Sequence, residues 1–415
     1  MCLTISRIVG SAPSVDVYLA LRDPHSYLLV QAINDLSMRY NVNFKLFLVY
    51  ESVPGFTLSP KLMQFWALKD AQELAAYFGL NAQSQYPRHH GLIAGQQLWQ
   101  LTVKDVSGAL DIFNRVWSNA IDEIIQPSTP VINFQVKNQQ RLLKKGHYLP
   151  ATLHFAGVWF TGVERLKYLE QQLTALKLNK NNLAQRYGTK SGDISGQIMN
   201  MDDLPVLEVY LSLRSPYSYL GLVKALKLAN QFQIKVKLKP VVPLVMRGLK
   251  VPISKQRYTY KDVLREAKSA GIPFSSFNEP TGQGVVNCYQ LFAYAELKGK
   301  AQELIESAFE AIYVRDLDLA RQSVVLDICE QVGIDYQKAM TYQESHDWQL
   351  WSEKYLRELS ALGLWGVPCF KLNDTCCWGQ DRLFIIEKAL IDLAVKSQHD
   401  FNALQVNEQT LNPHL

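Results

Sequence analysis

The sequence predicts an α/β protein built from two copies of one domain, and three observations carry that expectation. Residues 207–220, LEVYLSLRSPYSYL, repeat residues 15–28, VDVYLALRDPHSYL, with nine of 14 positions identical at an offset of 192 (207 − 15). Near the end of the 415 residues, WGVPCFKLNDTCCWGQDRLFIIEKAL from Trp365 to Leu390 has the form of YLPATLHFAGVWFTGVERLKYLE from Tyr148 to Glu170. There Glu164-Arg165-Leu166 answers Asp381-Arg382-Leu383 at an offset of 217 (381 − 164), and Pro150 is expected to answer Pro368. The third observation is the pattern between these landmarks, where apolar spacing changes from strand-like to helical.

Taken in order, the second copy opens with an apolar run, Val206–Leu213, of the length of a buried strand. Ser215-Pro216 is a helix start, with a hydroxyl acceptor at the N-cap and proline at the first helical position. Leu222, Leu226 and Ala229 then fall on one helical face. Asp23-Pro24 has the same grammar in the first copy. Alternation of Ile234, Val236 and Leu238 predicts a second strand over Ile234–Pro240. A helical stretch follows from Pro243 to Gly363, with periodic segments such as Asp262–Ala270 and Leu291–Tyr313. A strand through Val367-Pro368, a turn at Asn373-Asp374, a short strand ending at Trp378 and a helix bearing Leu383, Ile386, Leu390 and Leu393 close the copy. Each copy thus reads β-α-β, helices, β-β-α. That is the order of a thioredoxin-like core with an inserted helical subdomain. The expected domains are 14–178 and 205–398, joined by a polar, Gly/Ser/Asn-rich linker over 179–204.

Composition narrows the function classes. The chain is 48% hydrophobic and 20% charged, ample for two cores. Its net charge of +5 is not gathered into long basic blocks, which argues against a nucleic-acid partner. The start, MCLTISRIVGSAPS, is too weakly apolar for a signal peptide, and no 18-residue apolar run predicts a membrane span. With reduced cysteines this leads to a cytoplasmic expectation. The eight histidines are scattered, and His89-His90 lacks partners at zinc-ligand spacing, so no metal is expected.

The helix starts carry the chemistry. Dithiol oxidoreductases need two cysteines two apart at such a place, one of them a low-pKa thiolate. None of Cys2, Cys288, Cys329, Cys369, Cys376 and Cys377 forms C-x-x-C, and the corresponding positions are Ser215/Ser218 and Asp23/Ser26. Serine cannot cycle through a disulfide, so that activity is excluded at these sites. The adjacent Cys376-Cys377 falls in a hairpin strand, where neighbours point to opposite faces. A helix N-terminus still favours an anion. Ser215 therefore reads either as a plain cap or as a hydroxyl facing someone else's sulfur anion.

Five motifs give the second half a resemblance: S-P-Y-S (Ser215–Ser218), Y-K-D-V-L-R-E-A (Tyr260–Ala267), V-N (Val286-Asn287), G-V-P (Gly366–Pro368) and W-G-Q-D-R-L (Trp378–Leu383). In this order they resemble the 2-hydroxychromene-2-carboxylate isomerase and kappa-class glutathione transferase family, a DsbA-like branch of the thioredoxin superfamily. The first half resembles it more faintly, through D-P-H-S, Asp70–Leu80 and the closing E-R-L. The resemblance implies glutathione as cofactor, with Ser215 facing its thiol. It implies that Val367 pairs its backbone with the cysteinyl part, beside a cis Pro368. It further implies that Gln380 and Asp381 hold the γ-glutamyl end and that Asn287 lies beside the site. Read alone, Asp381 is equally an acidic residue favoured by the helix dipole, and Asn287 a turn or cap residue. Arg247, Lys250 and Arg257 either steer an acidic substrate or form a solvated face.

The first copy departs at the decisive place. Asp23 puts a carboxylate where the thiolate would sit, and Val163 stands where the second copy has Gln380. His25 reads as structural or solvent-facing. One active site is therefore expected, in the second half, acting on a small aromatic or electrophilic substrate. The two copies would form an intrachain pseudo-dimer, since family members pair as homodimers. Isomerase and transferase share the opening step, sulfur addition. The rival readings are a non-catalytic thioredoxin-fold binding protein and, less well supported, a chaperone-like partner of thiol proteins.

Overall fold

The computed structural model describes residues 12–51, 60–121, 132–180, 183–188, 204–248, 250–275 and 280–396. The chain divides into two compact units, Met1–Gly192 with Pro252–Tyr258, and Asp193–Val251 with Thr259–Leu415.

In the first unit, β1 (Ser14–Leu19), α1 (Pro24–Arg39) and β2 (Asn43–Leu48) form the opening β-α-β. Four helices follow: α2 (Pro60–Phe78), α3 (His89–Thr102), α4 (Val106–Trp117) and α5 (Ile132–Lys144). Then come β3 (Thr152–Phe155), β4 (Val158–Thr161) and α6 (Leu166–Ala175). The sheet order is β2-β1-β3-β4, with β1 parallel to β2 and the other pairs antiparallel. Strand β1 is central and reads V-D-V-Y-L because it is covered on both faces; Val15, Val17 and Leu19 are fully buried. Past α6, Tyr187 is buried, and the Arg186 and Tyr187 N–H groups donate to the buried Glu170 carboxylate at 3.0 and 2.7 Å. The first part of the expected linker is thus tied to this unit, while its residues 189–203 and the chain beyond 396 lie outside the described residues.

The second unit repeats this order. It comprises β5 (Val206–Leu211), α7 (Pro216–Phe232), β6 (Lys235–Pro240), α8 (Ile253–Ala270) from Thr259 onward, α9 (Gln283–Leu297), α10 (Ala301–Tyr313), α11 (Gln322–Val332), α12 (Tyr336–Gln343), α13 (Trp348–Ala361), β7 (Cys369–Leu372) and β8 (Thr375–Trp378). Residues 383–396 are helical. The sheet order, β6-β5-β7-β8, matches that of the first unit strand for strand. The periodic segment Leu291–Tyr313 is broken where Gly299 takes a positive φ of 68° and Lys300 N–H donates back to Ala295 O.

Equivalent side chains hold equivalent places. Trp117 Nε1 donates to Leu21 O at 3.0 Å, and Tyr313 OH donates to Leu213 O at 2.9 Å. Tyr27 stacks on Trp117 and Tyr219 on Tyr313, with ring centroids 5.5 and 5.6 Å apart. At this pair the offset is 196 (313 − 117), and at Thr152 and Cys369 it is 217 (369 − 152). Most of the second unit's extra residues therefore fall after Tyr313, where α11 and α12 stand.

Strand register corrects one expected equivalence. Tyr18 pairs with Thr152 as Tyr210 pairs with Cys369, so Ala151, not Pro150, answers Pro368. The same carbonyl bond follows in each unit: Gly162 N–H to Ala151 O at 2.8 Å, and Gly379 N–H to Pro368 O at 2.9 Å. The sequence pairing was off by one because prolines were matched as residues, whereas the ladder fixes the register. Among the described residues no helix is long and apolar enough to cross a membrane.

Candidate active site

The site in the second unit is built where the chain leaves β5. Ser215 has extended backbone (φ −94°, ψ 108°) and its Oγ accepts from Ser218 N–H at 3.1 Å, capping α7, while Pro216 opens the helix. Ser218 is fully buried, and its hydroxyl accepts from Ser212 N–H at 3.2 Å. The two serines of S-P-Y-S thus differ in kind: Ser218 is internal, Ser215 half-buried at the helix end. Ser215 Oγ also donates to Val367 O at 3.5 Å. That distance is long for a hydroxyl donor, so the proton is loosely held and free to turn to a better acceptor.

The Val367–Pro368 peptide is cis. Helix α7 approaches it closely because Gly221 has no Cβ; one added there would lie 3.0 Å from Pro368 Cγ and from Phe370 Cζ. Pro368 O in turn accepts from Gly379, whose φ of 106° suits glycine alone. Gln380 is next. It is 4% exposed, and its Nε2 has no hydrogen-bond partner. Asp381 folds back over Gly379 and forms a 3.0 Å ion pair with Arg382. Ser215, Val367, Pro368, Gln380 and Asp381 are thereby linked through one proline and one glycine.

The remaining expected residues are placed differently. Asn287 lies on α9, where its amide donates to Leu319 O at 2.9 Å and its carbonyl accepts from Gln283 at 2.7 Å. Lys250 and Arg257 are exposed, and Arg247 is half-buried, with its pKa lowered by that burial. Ser215 and Ser218 stand at the start of α7, and the described cysteine beside Pro368 is Cys369. Cys369, beside Pro368, is buried, donates to Gly366 O at 3.0 Å, and has its pKa pushed well up by burial. Cys376 and Cys377 are both buried too. Among the described residues, no cluster of His, Cys, Asp and Glu could hold a metal.

The corresponding place in the first unit holds its own anion. Asp23 Oδ2 accepts from Ser26 N–H at 2.9 Å and from Ser26 Oγ at 2.6 Å, and its other oxygen accepts from His25 N–H at 3.4 Å. His25 is not a free surface residue. Its Nε2 meets Asp70 Oδ2 at 2.8 Å and its Nδ1 lies 3.6 Å from Asp23 Oδ1. Burial opposes the imidazolium, but the bonds to Asp23 and Asp70 outweigh it and raise the pKa to about 10. Ala151, at φ 51°, takes the place of Pro368, and the buried Val163 that of Gln380.

Sequence reading missed the acids behind these helix starts. Asp262, 1% exposed, accepts from Tyr217 OH at 2.8 Å and pairs with Arg265. Asp70 and Asp262 stand 192 apart (262 − 70), the offset of the opening repeat, and that was the signal that could have joined them.

Residues 206–391 match the DsbA-like thioredoxin domain. The chain is 25% identical over 194 residues to a 2-hydroxychromene-2-carboxylate isomerase of Sphingobium xenophagum, covering 45% of this chain and 98% of that protein. It is 24% identical over 199 residues to the enzyme of the same name from Pseudomonas putida, covering 45% and 94%. A solved structure of a 2-hydroxychromene-2-carboxylate isomerase matches at 21% identity and a TM-score of 0.41, covering 47% of this chain and 98% of that one. The cytosolic disulfide reductase DsbM from Pseudomonas aeruginosa matches at 16% identity and a TM-score of 0.36, covering 48% and 99%. The second unit therefore carries a DsbA-like thioredoxin domain, and the chain has low-identity homologues named as isomerases over about half its length.

Proposed function

We propose that the second unit is a glutathione-dependent isomerase of the 2-hydroxychromene-2-carboxylate type, in a chain that arose by tandem duplication, with domains at 14–178 and 205–398. The observation that carries the reading is the juxtaposition at Pro368. A half-buried serine hydroxyl with a loosely held proton caps a helix on one side, and a buried, unpartnered amide, Gln380 Nε2, stands on the other. An unpaired buried donor costs free energy, and a ligand carboxylate is an acceptor that would relieve it. The tripeptide fits this donor set. Bound there, glutathione supplies a sulfur nucleophile for a conjugated small molecule.

Ser215 would hold the sulfur as an anion, with the positive end of α7 adding to its hydrogen bond. The backbone of Val367 would pair with the cysteinyl part. Gln380 Nε2 would donate to a carboxylate, and Asp381, 3.0 Å from Arg382, would accept from an ammonium group. Asn287 Nδ2 gives one N–H to Leu319 O and would reach a ligand with the other, which has only a long 3.5 Å contact to Ala320 O. A kappa-like transferase would use the same groups and differ in the pocket above them. The rival binding-protein reading draws on the Asp381–Arg382 pair, since that carboxylate already has a partner. Titration calorimetry with reduced glutathione decides. One site per chain, lost in Asp381→Ala, supports the proposal. No heat at millimolar glutathione refutes it.

A further inference from the structure

Each unit carries an ion cluster where its sheet meets the helix before the closing hairpin, and only one of the two clusters balances. Helices α5 and α13 correspond at the offset of 217: Leu142 and Leu359 are both fully buried, and Gly146 and Gly363, each with positive φ, follow their ends. In the second unit Lys239 meets Glu208 at 2.9 Å and Glu358 at 2.7 Å, and Lys371 meets Glu208 at 3.6 Å. Two cations face two acids. Tyr210 OH, among them, donates to Glu208 Oε2 at 3.3 Å.

In the first unit Asp16 answers Glu208, Tyr18 answers Tyr210, and Arg141 stands at the position of Glu358. Arg141 and Lys145 both bind Asp16 Oδ2, at 3.1 and 2.5 Å. His154, at the position of Lys371, has its pKa lowered by burial and by Lys145, so it adds no charge at neutral pH. The exposed Lys45 and Lys237 are alike in the two units. Two cations therefore face one acid. Arg141 in the last turn of α5 suits the helix dipole, but the dipole does nothing for the phenol. Tyr18 is 0% exposed, stacks on Phe47 with ring centroids 5.1 Å apart, and its hydroxyl has no hydrogen-bond partner. Burial pushes its pKa up to about 12, so the proton stays on. Arg141, the cation beside it, offers N–H groups and no acceptor. The surplus cation and the orphaned donor lack the same thing, an anion.

We propose that the first unit binds a small oxyanion, a carboxylate or a phosphate, between the Tyr18 hydroxyl and the Arg141 guanidinium. The bound oxyanion supplies the negative charge that Glu358 supplies in the second unit. Tyr18 donates to it, Arg141 gives it the N–H groups not spent on Asp16, and Lys145 adds charge. The Arg141 and Lys145 side chains are 45% and 32% exposed, which leaves the ion a way in from solvent. This proposal does not depend on the glutathione reading.

The test is titration calorimetry of the full chain with inorganic phosphate and, separately, with acetate, at an ionic strength held constant with chloride. One saturable site is expected for at least one of the two ions, and which one binds names the ligand as phosphate or carboxylate. Tyr18→Phe keeps the ring, drops only the unpaired hydroxyl, and is expected to fold and to weaken the ion about ten-fold, the low end for a hydrogen bond to a charged group. Arg141→Glu copies the acid of the second unit and is expected to abolish binding. An ion held at the start of α7 instead would be untouched by both substitutions. No saturable binding of either ion at millimolar concentration, or an unchanged affinity in either folded variant, overturns the proposal.

Discussion

Ser215→Asp transplants the first unit's cap into the second and separates capping from sulfur binding. As a cap, aspartate is no worse than serine, and a helix N-terminus favours a carboxylate. Asp23 shows the geometry, accepting from Ser26 N–H at 2.9 Å where Ser215 accepts from Ser218 N–H at 3.1 Å. Stability should therefore stay within about 1 kcal/mol of the parent. Binding should not. A thiolate about 4 Å from a carboxylate meets about 4 kcal/mol of repulsion at an effective dielectric constant of about 20. At about 1.4 kcal/mol per decade, this is roughly a thousandfold loss of affinity for the thiolate form. Ser215→Ala makes the contrast, since it forfeits the cap, about 1 kcal/mol, without adding charge. Scanning calorimetry should thus rank alanine below aspartate in stability, and titration calorimetry should rank aspartate below alanine in glutathione affinity. Wild-type affinity in Ser215→Asp, or binding losses that simply follow stability losses, would refute the reasoning.

Two further outcomes follow from the geometry. His25 is raised from an ordinary value near 6.5 to about 10, so its contribution to stability is fully present below about pH 6.5 and is lost as pH rises through about 10; melting curves across this range should fall on the alkaline side, and less so in His25→Gln. Gly221→Ala gains about 1 kcal/mol of helix propensity but sets a methyl 3.0 Å from Pro368 Cγ and Phe370 Cζ, an overpacking cost of about 1–3 kcal/mol; urea unfolding should show a net loss of about 1 kcal/mol with an unchanged slope.

Much of the fold was legible because its signals are local. Ser215-Pro216 and Asp23-Pro24 announce their helices by cap chemistry, and the apolar runs before them are the buried central strands β1 and β5. The site was legible as a neighbourhood: the residues flanking Pro368 were expected together and lie together. What escaped were pairings across the fold. Asp70 and Asp262 sit on amphipathic helices where an acid ordinarily faces solvent, and only tertiary packing turns them inward. His25 was read as structural or solvent-facing, and its structural partner Asp70, 45 residues away, is what the sequence does not show. Asn287 carried two readings, beside the site or as a turn or cap residue, and its bond to Leu319 O, 32 residues on, is a pairing the sequence does not show.

The differences between the units are not spread evenly, and their distribution bears on what the first unit does. Away from the helix starts, substitutions come in compensating sets. On β6, Lys239 binds Glu208 at 2.9 Å and Glu358 at 2.7 Å. In the first unit the strand position is Phe47, and the cation comes instead from the helix, Arg141, which meets Asp16 at 3.1 Å and lies 4.6 Å over the Phe47 ring. A buried-side acid is thus neutralised in both units by opposite routes. A similar exchange of volume holds near the proline, where Gly221 and Pro368 correspond to Leu29 and Ala151. At the helix start the pattern changes. Ser215, Pro368 and Gln380 give way to Asp23, Ala151 and Val163, which removes the proton donor, the proline and the amide. Asp23 itself accepts from the Ser26 N–H, the Ser26 hydroxyl and the His25 N–H at that helix end. Replacing Asp23 alone would free the helix end but restore neither the proline nor the amide. A glutathione site in the first unit would need all three changes, which is why we propose the chemistry for the second unit alone.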